Sequence, residues 1–302
     1  MTDPRPTREV WRAPAKINLW LEIAGRRQDG YHLLDTAYQA IDLADTVVLA
    51  PGAAGGPAIV CGVVGDLAAG IPADDGNLAV RAARAVGERT GHRLRLELTI
   101  EKAIPPGAGL GGGSSDAAAV LLALAKRFAV PDPRRTLHDL AADLGADVPF
   151  FLQGGTRIGR GIGDELKPAD PPEERWGVLA WPGTSVETAA AYRWWDEKVG
   201  DPHPTAFAEP TDVADWTARR NDLEAVVFDR CPEVRRAVEL LAAGPAVGAR
   251  MSGSGSAAFA LYANETDRDA DLERVEGGVA DLAPEARAWP FDLSRTGVDR
   301  VE

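Results

Sequence analysis

Between residues 11 and 23 the chain reads Trp-Arg-Ala-Pro-Ala-Lys-Ile-Asn-Leu-Trp-Leu-Glu-Ile, and from Ile17 it alternates at the period of a strand, with Lys16 and Asn18 on one face. A turn signal at 25–31 follows, and 32–49 holds two more apolar stretches broken at Leu43-Ala44-Asp45. Residues 51–76 mix Gly, Ala, Pro and Asp with short apolar islands and read as hairpins and loops. The pattern then predicts a helix over 77–89 and a strand over 94–102. From Ala117 the period changes: Ala117, Val120, Leu121, Leu124 and Phe128 form a helical stripe, with Ser115 or Asp116 as its N-cap.

Pro131 to Arg135 punctuates the chain, and 136–144 predicts a helix stopped by Gly145 as its C′ residue. Gly154-Gly155 closes the apolar segment after it, and 156–166 is glycine-rich with short strands. Residues 168–174, rich in proline and acid, are the best linker, which divides the chain into domains 1–167 and 168–302. The second half predicts a strand at 176–181, a helix at 188–195 and irregular chain at 202–211. Helices at 226–230 and 232–241 follow, then strands at 248–251 and 257–262 around the glycine turn Ser252-Gly253-Ser254-Gly255-Ser256.

At 302 residues the chain is long enough for two ordinary domains or one large one. Its net charge of −13 argues against a nucleic acid held by general electrostatics, so an anionic ligand needs a local basic or N–H-rich site. Two distant cysteines, Cys61 and Cys231, lack metal-ligand spacing and fit free thiols in a reducing compartment. No eighteen-residue apolar run and no apolar leader region occur, so a cytoplasmic protein with no membrane span is expected. The lysines are only Lys16, Lys102, Lys126, Lys167 and Lys198, so a lysine in an apolar setting stands out.

The densest chemical signal is Pro105-Pro106-Gly107-Ala108-Gly109-Leu110-Gly111-Gly112-Gly113-Ser114-Ser115-Asp116, which runs directly into the helical stripe. Without Cβ atoms its glycines can reach positive φ and approach a ligand closely. A helix start placed here offers unpaired N–H groups and the positive dipole end to a phosphate. A side chain at Gly111 or Gly112 is then expected to fill the phosphate space without unfolding the chain. The alternative is a flexible glycine turn with an ordinary cap. The loop lacks the Gly-Lys-Ser/Thr of a Walker A loop and does not fit the dinucleotide fingerprint.

The pattern Pro-x-Gly-x-Gly-Leu-Gly-Gly-Gly-Ser-Ser-Asp-Ala-Ala resembles the ATP loop of the GHMP superfamily, which includes galactokinase, homoserine kinase and mevalonate kinase. Pro14-Ala15-Lys16-Ile17-Asn18-Leu19, Asp29-Gly30-Tyr31-His32 and Leu144-Gly145-Ala146-Asp147-Val148-Pro149-Phe150-Phe151 add to it. So do Asn221-Asp222-Leu223-Glu224 and Arg250-Met251-Ser252-Gly253-Ser254-Gly255-Ser256. In this order, over about 11–262, they resemble the 4-diphosphocytidyl-2-C-methyl-D-erythritol kinase family.

The resemblance implies an α+β fold of two domains with the active site in the cleft between them. It implies ATP-dependent, Mg²⁺-assisted phosphorylation of the 2-hydroxyl of 4-diphosphocytidyl-2-C-methyl-D-erythritol in the non-mevalonate isoprenoid route. Lys16 and Asp147 become the catalytic pair, Asp147 as base and Lys16 holding it ionised. Pro105, Gly107, Gly109, Leu110, Gly111, Gly112, Gly113, Ser114 and Ser115 become the phosphate cradle, with Ser114 toward Mg²⁺, and Asn77 and Leu78 the adenine pocket. Asn18, Tyr31, His32, Thr188, Tyr192, Gly253 and Ser254 become substrate contacts. Tyr31 and Tyr192 are to cover the two faces of cytosine and His32 to meet its edge.

Read without the family, Asp147 caps the next turn, Lys16 snorkels to the surface, and Tyr31 and His32 are a half-buried tyrosine and a surface histidine of a turn. Ala257-Ala258 and Glu187 depart from the family's usual residues and alter the pocket's shape. A sister kinase for another small alcohol is opposed by Asp29-Gly30-Tyr31-His32, because such acceptors carry no base to stack. A non-catalytic nucleotide sensor is opposed by the presence of both Lys16 and Asp147.

Overall fold

The structure is a computed structural model that describes residues 8–128, 130, 132–200 and 213–301. The segment 202–211, expected to be irregular, lies outside the described residues, as does Pro131. Its spine is a pair of long antiparallel strands, β1 (Glu9–Arg26) and β2 (His32–Pro51). β2 runs unbroken through Leu43-Ala44-Asp45, where the pattern predicts an interruption. The reason is local: Asp45 is buried, but its Oδ1 accepts from the amides of Ala103 (2.7 Å) and Ile104 (2.9 Å), so a carboxylate can occupy a core position. Register shifts at Pro14/Lys16, Asn18/Trp20 and Ile23/Gly25 absorb the other irregularities of the pair.

β3 (Ile59–Val64) follows, then α1 (Leu78–Thr90), capped by Asn77, and β4 (Leu96–Glu101). β3 lies parallel to β4, so this region is a crossover and not the expected hairpin. α2 (Gly112–Arg127) starts inside the glycine run with Gly111 as N-cap at φ +72°, not at Ser115 or Asp116. Those two side chains are buried within the helix, and Ser115 N–H donates to Gly111 O at 2.9 Å. Positive φ at a glycine turns the chain abruptly into a helix, and burial outweighs the weak helix propensity of Gly112 and Gly113. α3 (Pro133–Leu144) ends at Gly145, whose φ of 168° is extended backbone and not the left-handed C′ conformation expected.

α4 (Val148–Gln153), β5 (Thr156–Arg160) and β6 (Glu165–Ala169) complete this part of the chain, β5 pairing with β2 and β6 with β5. The helices cover one face of the sheet, where Leu96, Leu98 and Ile100 of β4 pack with Val120, Leu121 and Leu124 of α2.

β7 (Trp176–Trp181) opens the second sheet, followed by α5 (Thr188–Val199), a 3₁₀ turn at Trp216–Ala218, α6 (Glu224–Arg230) and α7 (Pro232–Ala242). β8 (Gly248–Met251), β9 (Ala258–Tyr262), α8 (Glu265–Ala280) and β10 (Arg287–Asp292) give the order β10-β7-β9-β8. Along β7 the period-2 alternation is buried on both sides. Val178 and Ala180 pack with α7 and α8, while Leu179 and Trp181 share a core with Ile17, Leu19 and Trp20 of β1. The last strand, β11 (Asp299–Arg300), returns to the first sheet and pairs with Trp11 and Arg12 of β1.

Candidate active site

A cavity of about 880 Å³ lies where β1, the glycine loop, α5 and the Gly253–Ser254 turn meet. β1 supplies Lys16 and Asn18 on one face, as the alternation predicts. Lys16 is 3 % exposed, so it does not snorkel. Its Nζ donates to Asn18 Oδ1 (2.5 Å) and lies 3.8 Å from Asp147 Oδ2. The amide orientation of Asn18 is fixed from behind, since its Nδ2 donates to Thr36 Oγ1 (2.8 Å), which donates to Trp20 O (2.6 Å). The Asn18 oxygen is thereby turned toward the ammonium.

Burial pushes Lys16 below its ordinary pKa, and the charge of Asp147 opposes that fall. Asp147 precedes α4 without making a side-chain cap bond, which leaves its carboxylate, 32 % exposed, to the cavity. Tyr38 was not expected here. Its phenol is raised well above its usual value, first by burial and then by the charge of Asp147, so it stays neutral beside the carboxylate. Tyr38 sits mid-strand as one more apolar position, which hides it from a sequence reading.

The glycine loop is held at both ends of the site. Lys16 N–H donates to Leu110 O (3.0 Å), Ser252 Oγ donates to Gly109 O (3.0 Å) and Ala257 N–H donates to Ala108 O (3.1 Å). Gly107, Gly109 and Gly111 all have positive φ, and a Cβ on Gly109 would collide with Ser252 O. A Cβ on Gly111 would stand 2.6 Å from Phe151 Cζ, and one on Gly112 would stand 3.1 Å from Ile104 Cγ2. These two positions therefore face the core, contrary to the expectation that their side chains would enter the phosphate space. Of the three consecutive glycines only Gly113, whose Cβ would find Leu78 Cδ1 at 4.0 Å, opens outward there.

Pro105, Leu110 and Ser114 line the cavity with the glycines, whereas the fully buried Ser115 does not. Asn77 and Leu78 line it too, but the Asn77 side chain is engaged by the chain itself. Its Oδ1 caps Ala79 N–H (2.9 Å) and its Nδ2 donates to Pro72 O (2.8 Å).

Beneath the loop lies a buried charge cluster that the pattern does not reveal. Lys102 Nζ donates to Asp45 Oδ2 and to Asp116 Oδ2 (2.9 Å). Burial first, and the nearby Asp45, push Asp116 up to about 7, while Lys102 pulls it down. Its Oδ1 and the Ser115 Oγ are buried without a hydrogen-bond partner. The available signal was the scarcity of lysine, with Lys102 at the end of an apolar strand.

At the opposite end His32 is stacked on Tyr192, with ring centroids 4.8 Å apart and planes at 19°. The imidazole, rather than Tyr31, thus faces Tyr192; Tyr31 lines the cavity rim at 58 % exposure. His32 Nε2 is 2.7 Å from Asp196 Oδ1, an α5 carboxylate that sequence reasoning missed because 164 residues separate the partners. Burial, then the charge of Asp147, raise the Tyr192 phenol. Thr188 Oγ1 lies 2.9 Å from Ser254 Oγ, tying α5 to the Gly253–Ser254 turn.

The GHMP kinases N terminal domain family matches residues 77–155, and the GHMP kinases C terminal family matches 211–280. A 4-diphosphocytidyl-2-C-methyl-D-erythritol kinase of Halorhodospira halophila is 40 % identical over 281 residues, 92 % of each chain. A kinase of the same name from Cupriavidus metallidurans is 40 % identical over 279 residues, 90 % of each chain. A crystal structure of 4-(cytidine 5′-diphospho)-2C-methyl-D-erythritol kinase aligns with TM-score 0.74 and 36 % identity, covering 95 % of this chain and 99 % of the other. At the level of fold alone, a homoserine kinase from Cytophaga hutchinsonii aligns with TM-score 0.71 at 16 % identity, over 100 % of this chain and 98 % of that one. With mixed helices and sheets, both GHMP regions and this extent of identity, the chain belongs to the 4-diphosphocytidyl-2-C-methyl-D-erythritol kinase family of the GHMP kinases.

Proposed function

We infer that this kinase transfers the γ-phosphoryl group of ATP to the 2-hydroxyl of 4-diphosphocytidyl-2-C-methyl-D-erythritol, a step of the non-mevalonate isoprenoid route. The observation that carries the reading is the Lys16–Asp147 pair, 3.8 Å apart and placed between the glycine loop and the His32–Tyr192 end of one cavity. Asp147 accepts the hydroxyl proton as the oxygen attacks phosphorus, and ADP departs with the β–γ bridging oxygen. Lys16, paired with Asp147, balances the charge that builds on the phosphoryl oxygens. Asn18 holds the ammonium in place, and the neutral Tyr38 phenol lies beside Asp147.

The first-turn N–H groups of α2 cradle the phosphates, with Gly113 and Ser114 open to the cavity. Asn77 shapes the adenine end as a helix cap, and Leu78 supplies apolar surface beside it. His32, Tyr192 and Tyr31 receive cytosine, with Asp196 orienting the imidazole. Among the described residues no cluster of three His, Cys, Asp or Glu side chains is arranged to hold a metal ion. That suits Mg²⁺ held chiefly by nucleotide phosphates and water, with one or two protein oxygens, Ser114 and the unpartnered Oδ1 of Asp116. When bound it would neutralise phosphate charge.

A division into domains 1–167 and 168–302 is in keeping with the sheets: apart from β11 and the end of β6, the strands of the first sheet precede residue 168. No described helix is long and apolar enough to cross a membrane. A coupled ADP-release assay over the cytidyl substrate, mevalonate and homoserine tests the reading. Turnover on the cytidyl substrate alone is the expected result, and preference for either of the others overturns it.

A further inference from the structure

Asn221-Asp222-Leu223-Glu224 lies outside the cavity lining, yet its side chains reach both walls of the site. Asn221 is 3 % exposed and uses all its amide hydrogen-bonding groups. Its Nδ2 donates to Met251 O (3.0 Å) and to Gly253 O (2.8 Å), and its Oδ1 accepts from Leu223 N–H (3.0 Å). Glu224 Oε1 accepts from Met251 N–H (2.8 Å). Toward β1, Asp222 N–H donates to Leu21 O (2.8 Å) and its Oδ2 accepts from Ile23 N–H (2.7 Å). One turn therefore joins the strand carrying Lys16 and Asn18 to the turn carrying Gly253 and Ser254.

The geometry at Gly253 gives this clamp a chemical direction. Its φ is +56°, and a Cβ there would stand 3.1 Å from both Lys16 Nζ and Asn18 Oδ1, so its backbone is pressed against the ammonium. The carbonyl of Gly253 and the N–H of Ser254 belong to one planar trans peptide and point in opposite directions. With the carbonyl held by Asn221 outside the cavity, the N–H is turned inward, beside Lys16, where anionic phosphoryl oxygens would lie.

We propose that Asn221 is a positioning residue for phosphoryl transfer: by binding the Met251 and Gly253 carbonyls it fixes the Gly253–Ser254 peptide with its N–H toward the transferring group. This rests on the kinase reading above. The decisive variant is Asn221→Asp, which is nearly isosteric, keeps the acceptor for Leu223 and removes both donors at neutral pH. A displaced donor at a reacting group costs on the order of 10- to 100-fold. At pH 8 kcat should therefore fall by about that factor, while the ATP dissociation constant stays within about threefold because Lys16 N–H and Ala257 N–H still hold the glycine loop.

The same variant carries its own control, because protonation of the introduced carboxyl restores one donor. Burial against two carbonyl oxygens raises that carboxyl above its ordinary value, so the ratio of variant to parent kcat should rise between pH 8 and pH 6. Asp222 and Glu224 on the same turn, Arg220, Arg250 on β8 and Lys16 on β1 are the charged groups around it; they set where the introduced carboxyl titrates, and their own titration is common to both proteins. An unchanged kcat, or a deficit that ignores pH, overturns the proposal. Should Asn221→Asp fail to fold, Asn221→Ala decides by the same split: a kcat loss of at least about tenfold with ATP affinity intact supports it, and parallel loss or no loss of both overturns it. A parent enzyme inactive on the cytidyl substrate would instead refute the functional reading before any variant is made.

Discussion

Substitution at Gly113 is expected to separate phosphate binding from folding. This glycine is the second residue of α2, and its missing Cβ would meet nothing nearer than Leu78 Cδ1 at 4.0 Å. Alanine at a helical position is favoured over glycine by about 0.5–1 kcal/mol. For a chain of this size that corresponds to a rise in Tm of about 1–3 °C. The same methyl group projects over the first-turn N–H groups, where it would lift a phosphate away. Losing one hydrogen bond to a charged oxygen costs about 1.5–3 kcal/mol, or about 10- to 150-fold in ATP affinity. Gly113→Ala should thus be more heat-stable and bind ATP more weakly, as read by thermal unfolding and titration calorimetry on one preparation. A stabilised variant with unchanged ATP affinity would refute the placement of phosphates on α2. Gly111→Ala cannot make this distinction, because its positive φ and the nearby Phe151 ring strain the fold itself.

Asp147→Asn should leave ATP affinity nearly intact and lower turnover by roughly 10²–10⁴, measured by coupled ADP release; a loss below about threefold would remove Asp147 as the base. Tyr192→Ala should raise the Michaelis constant for the cytidyl substrate about 5- to 150-fold, from ~1–3 kcal/mol of stacking, with little change for ATP. A parent-like constant would return Tyr192 to the core. Burial raises Asp116 to about 7, so from about pH 4 upward the native chain retains a proton that the unfolded chain has lost. Its contribution to stability therefore falls as pH rises through that window and levels off above about 7. In Asp116→Asn the Tm difference, variant minus parent, should grow from about pH 5 to 7 and then flatten; a difference independent of pH would show Asp116 ionised throughout.

What could be read from the sequence was whatever is local. The strand Trp176–Trp181, the common face of Lys16 and Asn18, and the glycine run before an apolar stripe all depend on neighbours within a few residues. The Asp45–Lys102–Asp116 cluster depends on β2, β4 and α2 converging, and the sequence marks only Lys102, a scarce lysine at the end of an apolar strand, without its partners. The elements beyond Tyr262 escaped for a related reason. On α8 the buried positions include Arg268 and Asp271: Arg268 pairs with Glu265, Asp269 and Asp292, and Asp271 with Tyr262 and Arg274. Paired polar groups occupy positions where an apolar stripe would have announced a helix.

The pairing of β11 with β1 sets an order of events during synthesis. Trp11 and Arg12 leave the ribosome long before Asp299 and Arg300, their strand partners. Lys16, on the same strand, likewise waits for Asp147 and for Gly253 to emerge. Contacts this distant along the chain slow folding and leave unpaired strand edges open to other chains in the meantime. The nascent chain thus carries Lys16 on an unfinished sheet until β11 has been made, and chaperone demand should be concentrated in that interval.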